Sequence, residues 1–343
     1  MRRFLQMGLA WTLIASPMPV GATTPADNTT TSATAPATPV QPATTAADAY
    51  RQTGEAKIKA NDFSGAVATF NQWVAAEPQN AQAWQMRGRA KDDAGDYPGA
   101  IADCDQALKL DPTDATAYYW RGRAKDDAGD YAGAVVDYNH AVELEPKNAD
   151  AWADRGMAKN DAGDYAGSIA DLSHSLQLDP KNAAAWYDRG RAKENATDYA
   201  GALADFNECL ELDPTNPDAY LQAGGSNIKI KDYVSAEADF NHLVELEPND
   251  ADAWYYRALV KSRTHDFSGA IADFTQSLKL DPANAEAYLT RGMVKFGAAD
   301  FVGAQADLTQ ALDMHLNLDE ADNARKLLAL VKMETQKKPI APN

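Results

Sequence analysis

The sequence predicts an all-α solenoid of antiparallel helix pairs, on the basis of an internal repeat and of helical periodicity within each repeat. Residues 87–97 recur without change at 121–131, a shift of 34 residues. In every unit of this period, apolar residues fall at helical spacing in two runs. Short helix pairs bury their apolar faces against neighbouring copies, which produces a stacked array. The eight gapless units are 47–80, 81–114, 115–148, 149–182, 183–216, 217–250, 251–284 and 285–318.

Each unit carries signals for where its two helices begin and end. The first helix follows an Asn or Asp, which accepts hydrogen bonds from the free amides of a helix N-terminus. It ends near the fifteenth position, which is glycine in the second, third and fourth units. The second helix stops before a proline at position 32, because proline cannot continue a helix. The predicted N-cap residues are Asn80, Asp114, Asn148, Asn182, Asn216, Asp250 and Asn284.

Two charged columns predict a ladder of ion pairs between the helices of each unit. The seventh position is arginine in six units, and the twenty-third is aspartate in seven. The first unit has Thr53 and Thr69 instead, so it loses both charges together, whereas the sixth has Ala223 opposite Asp239. We interpret the pairs as structural. They join Arg87, Arg121, Arg155, Arg189, Arg257 and Arg291 to Asp103, Asp137, Asp171, Asp205, Asp273 and Asp307 respectively.

The C-terminal end of the array carries a different signal. The last unit has Leu316 where the other seven have proline. We therefore predict a capping helix over residues 319–338, with Asp319 as its N-cap and lysines near its end, as the helix dipole favours. Its apolar stripe would cover the open end of the array, as repeat arrays require.

The N-terminal segment has the pattern of an export signal. Two arginines precede a mostly apolar stretch over 4–15, too short to span a bilayer, and small residues follow at 20–22. We expect a signal peptide over 1–22 and a periplasmic or secreted protein, the alternative being a buried helix of the fold. No cysteine follows the cleavage site, which disfavours a lipid anchor. Residues 23–46 predict a disordered Thr/Ala/Pro-rich linker, either a plain spacer or an O-glycosylated segment.

Composition limits the partners and the redox chemistry. There are 32 Lys and Arg against 50 Asp and Glu, a formal net charge of −18. Such a charge disfavours nucleic acid and suits a neutral or basic protein or peptide. No stretch after the signal is apolar enough to cross a membrane. Cys104 and Cys209, three repeats apart on packing faces, are predicted to be buried free thiols.

The columns of the repeat resemble the tetratricopeptide repeat family. The fourth position is always aromatic, the eighth is glycine in seven units, and Tyr or Phe, a small residue and proline follow at matching places. The resemblance covers about four-fifths of the chain. It implies a right-handed solenoid whose first helices line a concave groove, the usual ligand surface of the family. Pentatricopeptide repeats, which read RNA, have a similar period, but the acidic charge and the terminal proline argue against them.

The sequence contains no recognisable catalytic constellation. It has no P-loop and none of the nucleophile-elbow, dinucleotide-binding or zinc-protease motifs. His140, His174 and His242 share the twenty-sixth position, where other units have Gln or Glu, so a polar surface position is a better interpretation than a metal site. We expect a non-enzymatic protein that binds no metal and no cofactor.

A binding groove is the better hypothesis. Positions two, five, nine and twelve of the first helices share one face by helical spacing, and Tyr and Arg are typical anchors of interfaces. The alternative for any one of these residues is an ordinary mixed surface. The candidate groove residues are Arg89, Tyr119, Arg123, Tyr187, Arg191, Tyr255 and Met293.

Acidic residues near the ends of the first helices form a second candidate surface, the acidic edge. Acids at these positions oppose the helix dipole. They could receive a basic peptide or hold divalent cations weakly, or form a solvated face whose charge the neighbouring Lys91, Lys125, Lys159 and Lys193 offset. The members are Asp92, Asp93, Asp126, Asp127, Asp161 and Glu194. We predict a scaffold that binds a peptide or partner protein, and the alternative is a module that binds a polymer such as a glycan.

Overall fold

The computed structural model describes residues 46–314 and 316–337, which form seventeen α-helices and no strand. All sixteen repeat helices and the additional C-terminal helix are present as predicted. The predicted signal peptide and residues 23–45 of the linker lie outside the described residues. Residue 46 was assigned to the linker, but it already belongs to the first helix. The helices are α1 Ala46–Lys59, α2 Phe63–Ala76, α3 Ala81–Asp93, α4 Tyr97–Leu110, α5 Ala115–Asp127, α6 Tyr131–Leu144, α7 Ala149–Asp161, α8 Tyr165–Leu178, α9 Ala183–Asn195, α10 Tyr199–Leu212, α11 Pro217–Ile230, α12 Tyr233–Leu246, α13 Ala251–Arg263, α14 Phe267–Leu280, α15 Ala285–Gly297, α16 Phe301–Asp313 and α17 Leu318–Lys337.

Side-chain caps fix the start of every helix from α2 to α16. The seven predicted boundary residues each accept a backbone N–H of their helix, as Asn148 does from Ala151 at 3.2 Å. The second helices have an equally regular cap at position 16, where Asp96 accepts from the Gly99 amide at 3.0 Å. The remaining members of this column are Asp62, Asp130, Asp164, Asp198, Asp232, Asp266 and Asp300.

The two helices of each unit approach closely where the eighth residue is glycine. A Cβ added to Gly190 would lie 2.5 Å from Cε1 of Phe206, which is fully buried. No side chain fits there without moving an aromatic ring, because protein cores are packed to crystal density. This contact explains the glycine column of the repeat.

The turn between the two helices requires a left-handed residue at position 15 in all eight units. Gly95, Gly129 and Gly163 adopt it with φ of 80–86°. The other five units place non-glycine residues there, and Thr197 has φ 65°. A β-branched residue in this region is strained by about 1–2 kcal/mol.

Replacing Thr197 with glycine should therefore stabilise the protein. The relief of strain exceeds the extra backbone entropy of glycine in the unfolded chain, so we expect a gain of about 0.5–1 kcal/mol. Chemical denaturation measures it. The adjacent Ala196→Gly is the matched control, because Ala196 has φ −79° and should lose stability. A loss in both variants would contradict the strain argument.

The predicted ion-pair ladder is present, and each of its six arginine-paired aspartates has a second cation. In the third unit, Asp137 accepts from Arg121 at 2.6 and 2.9 Å and pairs with Lys125 at 2.7 Å. The same pattern recurs in the second, fourth, fifth, seventh and eighth units. In the sixth unit both cations are absent, and Asp239 accepts a 2.8 Å bond from Asn227 instead.

These contacts correct the prediction made for the lysines. Lys91, Lys125, Lys159 and Lys193 were expected to offset the acidic edge, but they bind the ladder aspartates. They lie four residues after the ladder arginines on the first helices, so one turn brings both cations to the same face. The acidic edge therefore lacks the countercharge that the sequence had led us to expect.

The capping helix begins one residue earlier than predicted, at Leu318, and its cap is Asn317 rather than Asp319. The Asn317 side chain accepts from the Glu320 amide at 2.9 Å, and the Asn317 amide donates to the Glu320 carboxylate at 3.3 Å. This reciprocal pair is a capping box, which satisfies two free amides at once. Val331 and Ala324 are buried against the last repeat, as the predicted stripe requires.

The first helices lie on the inner side of the array. Consecutive first helices from α1 to α11 contact each other, and no two second helices do so to the same extent. The first helices therefore line the concave surface, as the resemblance implied. None of the helices in the described residues is long and apolar enough to serve as a membrane span.

Candidate functional site

Two of the tyrosines predicted as groove anchors connect neighbouring repeats. The Tyr119 hydroxyl donates to Asp154 Oδ2, 2.7 Å away on the next first helix. Tyr187 interacts with Gln222, again 35 residues further along the chain, but there the glutamine amide acts as the donor and lowers the pKa of the tyrosine against the effect of burial. Both tyrosine side chains are half-buried. They therefore join the fifth position of one unit to the sixth position of the next.

In the C-terminal half, the two predicted groove residues differ in exposure. Tyr255 is only 8% exposed, packs edge-on against Phe274 at 5.5 Å between ring centroids, and has its pKa raised by burial and then by the neighbouring Glu286. It has little surface left for a ligand. Met293, one unit further on, is well exposed.

Arg89 and Arg123 both lie over the indole of Trp120. Their guanidinium carbons are 4.7 and 5.0 Å from the ring centroid, within the range of a cation–π contact. Arg123 also pairs with Asp92 at 3.3 Å and with Asp93 at 3.1 Å, across the gap between α3 and α5. Two predicted anchors are thus rigidly oriented, although part of their charge is already neutralised.

Four aspartates lie next to this cluster, on three consecutive first helices, and we call them the acidic pocket. Asp126 is on α5, Asp154 and Asp161 are on α7, and Asp188 is on α9. They are near enough for Asp154 and Asp161 to perturb both Asp126 and Asp188 electrostatically. Arg191, also a predicted anchor, is 3.7 Å from Asp188.

The pKa values of Asp126, Asp154 and Asp188 are displaced towards neutrality. Burial and, to a smaller extent, the neighbouring carboxylates raise the pKa of Asp126 to about 7. Burial likewise raises the pKa of Asp188 to about 7, against the opposing effect of Arg191. The pKa of Asp154 rises to about 6, again through burial, although the Tyr119 hydroxyl stabilises its anion. Near pH 7 the pocket therefore attracts either protons or an external cation.

The interpretation of the acidic edge as a solvated face is wrong for Asp92. This side chain is buried, its carboxylate oxygens accept no hydrogen bond, and burial raises its pKa to about 7. Asp126 and Glu194 are half-buried, whereas Asp127 and Asp161 are exposed at the rim. Only part of the edge is therefore in solvent.

Sequence reasoning missed three residues of this region. The sixth position, which carries Asp154 and Asp188, was left out of the predicted groove face. Tyr138 was assigned to the core, where its ring does lie, but its buried hydroxyl has no hydrogen-bond partner. The signal was available in the columns, because only the fourth and fifth units have Asp at position six, and only the third has Tyr at position 24.

The remaining polar candidates have structural surroundings. His140, His174 and His242 stack on the aromatic fourth residue of their units, with centroids 4.3–5.1 Å apart. Cys104 and Cys209 are buried free thiols, as predicted. Within the described residues, no three His, Cys, Asp or Glu side chains converge as a metal-binding group.

Known structures resemble the array in fold. The C-terminal part of a TPR repeat-containing protein from Cytophaga hutchinsonii superposes with a TM-score of 0.57 at 21% identity, over 69% of this chain and 97% of that one. A tetratricopeptide repeat protein from Parabacteroides merdae has a TM-score of 0.52 at 22% identity, over 74% of this chain and 98% of that one. Among curated proteins, none matches the sequence.

The paired helices, the inner face of first helices and the regular caps define an α-solenoid repeat protein. Two family models described as tetratricopeptide repeat match the chain, one at 51–115, 85–149, 119–181 and 154–217, and one at 195–260. Together they cover more than half of its length. The chain belongs to the tetratricopeptide repeat family, whose members bind protein or peptide partners and whose fold is typically a non-catalytic scaffold.

Proposed function

We propose that this protein is a non-enzymatic scaffold of the cell envelope, which binds an extended peptide or a partner protein in the concave groove of repeats two to five. The N-terminal pattern of residues 1–22 supports export, and the family supports protein binding. The groove surface consists of Arg89, Tyr119, Arg123, Tyr187 and Arg191 together with the acidic pocket.

One observation carries the choice of the groove. Asp126, Asp154 and Asp188 are partly or largely removed from solvent, Asp154 is within electrostatic reach of the other two, and only Arg123 and Arg191 oppose their charge. Such an arrangement lowers the stability of the fold. The repeat can form without these aspartates, because other units have Met, Trp or Gln at the sixth position and Ile, Ser or Phe at the twelfth. Departures from folding rules that have no structural benefit are typical of functional sites.

Site-specific photo-crosslinking in the cells that make the protein tests the proposal. A photoreactive amino acid replaces Met157, which lies on the groove face of α7 at position nine, the same column as Arg123 and Arg191 of the two neighbouring units. The matched control places the same group at Val136, which is exposed on the outer helix α6. Mass spectrometry of the full-length chain then identifies the cross-linked peptides.

We expect the Met157 position to cross-link to one partner and the Val136 position to give no such product. Cross-links to the same partner from Val136 alone would place the interface on the convex side and contradict the proposal. Polysaccharide instead of protein in the Met157 adduct would establish the alternative of a polymer-binding module. Fractionation of the same cells tests export, since retention of the uncleaved chain in the cytoplasm would contradict it.

A further inference from the structure

The acidic pocket has an excess of carboxylates over cations that the fold does not compensate. Arg191 pairs with Asp188 at 3.7 Å, and Arg123 acts on Asp154 but is shared with Asp92 and Asp93, with which it pairs at 3.3 and 3.1 Å. The lysines of the same helices, Lys125, Lys159 and Lys193, are held by ladder aspartates on the second helices at 2.7 Å. They cannot turn into the pocket without leaving an ion pair that is almost inaccessible to solvent.

A second, independent feature of the pocket is the hydroxyl of Tyr138. The side chain is fully buried, and its oxygen makes no hydrogen bond. Its ring centroid lies 5.9 Å from that of Tyr119, whose hydroxyl is bonded to Asp154, and Asp154 and Asp126 are its electrostatic neighbours, so the hydroxyl lies beside the pocket. The other seven units have Phe, Leu or Cys at this position, so packing alone does not require the oxygen. A buried hydroxyl without a partner is unfavourable, and a hydrogen-bond donor that enters the pocket would satisfy it.

The surroundings suit a donor with positive charge and an alkyl stem. Carboxylate oxygens of Asp126, Asp154 and Asp188 accept charge-assisted hydrogen bonds, and the half-buried ring of Tyr119 offers an aromatic surface against a cation. No metal-binding group of three ligands forms here among the described residues, so the geometry does not favour a bare divalent ion. An ammonium or guanidinium group at the end of a flexible side chain satisfies all of these conditions.

We propose that the acidic pocket receives a lysine or arginine side chain of a basic segment in the partner protein. This proposal rests on the proposed function and deepens it, because it assigns the charge of the partner and the residues that recognise it. Asp154 and Asp188 bind the cationic group, Tyr138 accepts a hydrogen bond from it, and Asp161 at the rim guides the approach of the basic segment.

Fluorescence anisotropy with the full-length protein tests the assignment. The probe is a fluorescein-labelled peptide in which lysine alternates with alanine, and the matched probe has glutamate in place of lysine. At physiological ionic strength we expect saturable binding of the lysine peptide only. Asp188→Asn should weaken it by about tenfold or more, because a hydrogen bond to a charged group contributes at least that factor.

Two further variants separate recognition from general charge and from folding. Glu143→Gln removes the same charge from the outer helix α6, where the side chain is 75% exposed, and should leave binding unchanged. Tyr138→Phe restores the apolar residue found in other units, so it should keep the thermal stability and weaken binding about threefold to tenfold. Circular dichroism verifies the fold of each variant.

If Asp188→Asn and Glu143→Gln weaken binding of the lysine peptide equally, the proposed site is wrong, because the peptide is then attracted only by the net charge of the protein. If the Tyr138→Phe variant binds the lysine peptide as tightly as the parent protein does, the Tyr138 hydroxyl does not belong to the binding site. The free polyamine spermidine is tested in the same way. If the protein binds spermidine but not the lysine peptide, the result contradicts a protein partner. If the lysine peptide fails while the Met157 cross-link persists, the scaffold function stands and the assigned charge is wrong; if both fail, neither proposal survives.

Discussion

Replacing Asp137 with alanine should lower the free energy of unfolding by about 3–5 kcal/mol, the largest single effect expected in this protein. The carboxylate is 1% exposed and accepts hydrogen bonds from Arg121 while it pairs with Lys125. Without it, two cations remain between packed helices, and removal of one partner of a buried ion pair leaves an uncompensated charge whose desolvation is costly. Asp105 retains one contact with Arg121, at 2.6 Å, but Lys125 has no such second acid at salt-bridge distance.

The sixth repeat supplies a matched control in the same column. Asp239 has neither cation opposite it, and burial raises its pKa to about 6 despite the hydrogen bond from Asn227. Asp239→Ala removes a half-buried carboxylate that has no arginine or lysine partner. We expect it to change stability by about 1 kcal/mol or less, in either direction.

Hydrogen exchange localises the effect, because a solenoid is stabilised by contacts between nearest neighbours. In Asp137→Ala, protection should fall first in α5 and α6 and in the helices next to them. Thermal denaturation gives the accompanying shift in midpoint. Equal losses in Asp137→Ala and Asp239→Ala would mean that the aspartate column acts through its own helix and not through the ion pairs.

The ladder illustrates what the sequence could predict and what it could not. The Arg121–Asp137 pair follows from the period, because two columns that change together in the first repeat face each other across a helix pair. The role of Lys125 was misjudged because its sequence neighbours are Asp126 and Asp127. The face of the helix decides the partner of a side chain, and residues four apart share a face. Lys125 therefore lies on the face of Arg121 and not on that of Asp126 and Asp127.

The acidic pocket was only half predictable for a different reason. Asp126 and Asp161 were identified as acids near helix ends, but Asp154 and Asp188 join them only through the stacking of α5, α7 and α9. The repeat period predicts the features that all units have in common. The acidic pocket is formed by residues that occur in only one or two units. Column by column, the departures at positions six and 24 would have indicated it without coordinates.

The pH dependence of stability should show the cost of this pocket. An aspartate whose pKa is raised on folding holds a proton in the folded chain after the unfolded chain has released it. Below the ordinary aspartate pKa near 3.8, the group does not reduce the free energy of unfolding. As the pH rises from there through the pKa of the group in the folded protein, the free energy of unfolding falls. For Asp126 and Asp188 that loss extends to about pH 7, and for Asp154 to about pH 6.

Asp188→Asn should consequently stabilise the protein at pH 8 and have little effect at pH 4. A rise of about three pKa units corresponds to about 4 kcal/mol. The variant also loses the 3.7 Å pair with Arg191, and the side chain is 14% exposed, so we expect a gain of about 1–3 kcal/mol at pH 8. Urea denaturation at pH 4 and at pH 8 measures the gain, with Glu143→Gln on the exposed face of α6 as the control for loss of one carboxylate.

This last expectation links stability to recognition through one side chain. If Asp188→Asn is more stable at pH 8 and also fails to bind the lysine peptide, then the carboxylate is retained at a cost to the fold, which a partner's cation offsets on binding. If the variant is less stable at pH 8 than the parent, Asp188 is a structural partner of Arg191 and not an uncompensated charge. The acidic pocket would then be another part of the framework, and the concave surface would have to recognise its partner mainly through Arg89, Arg123 and Tyr187.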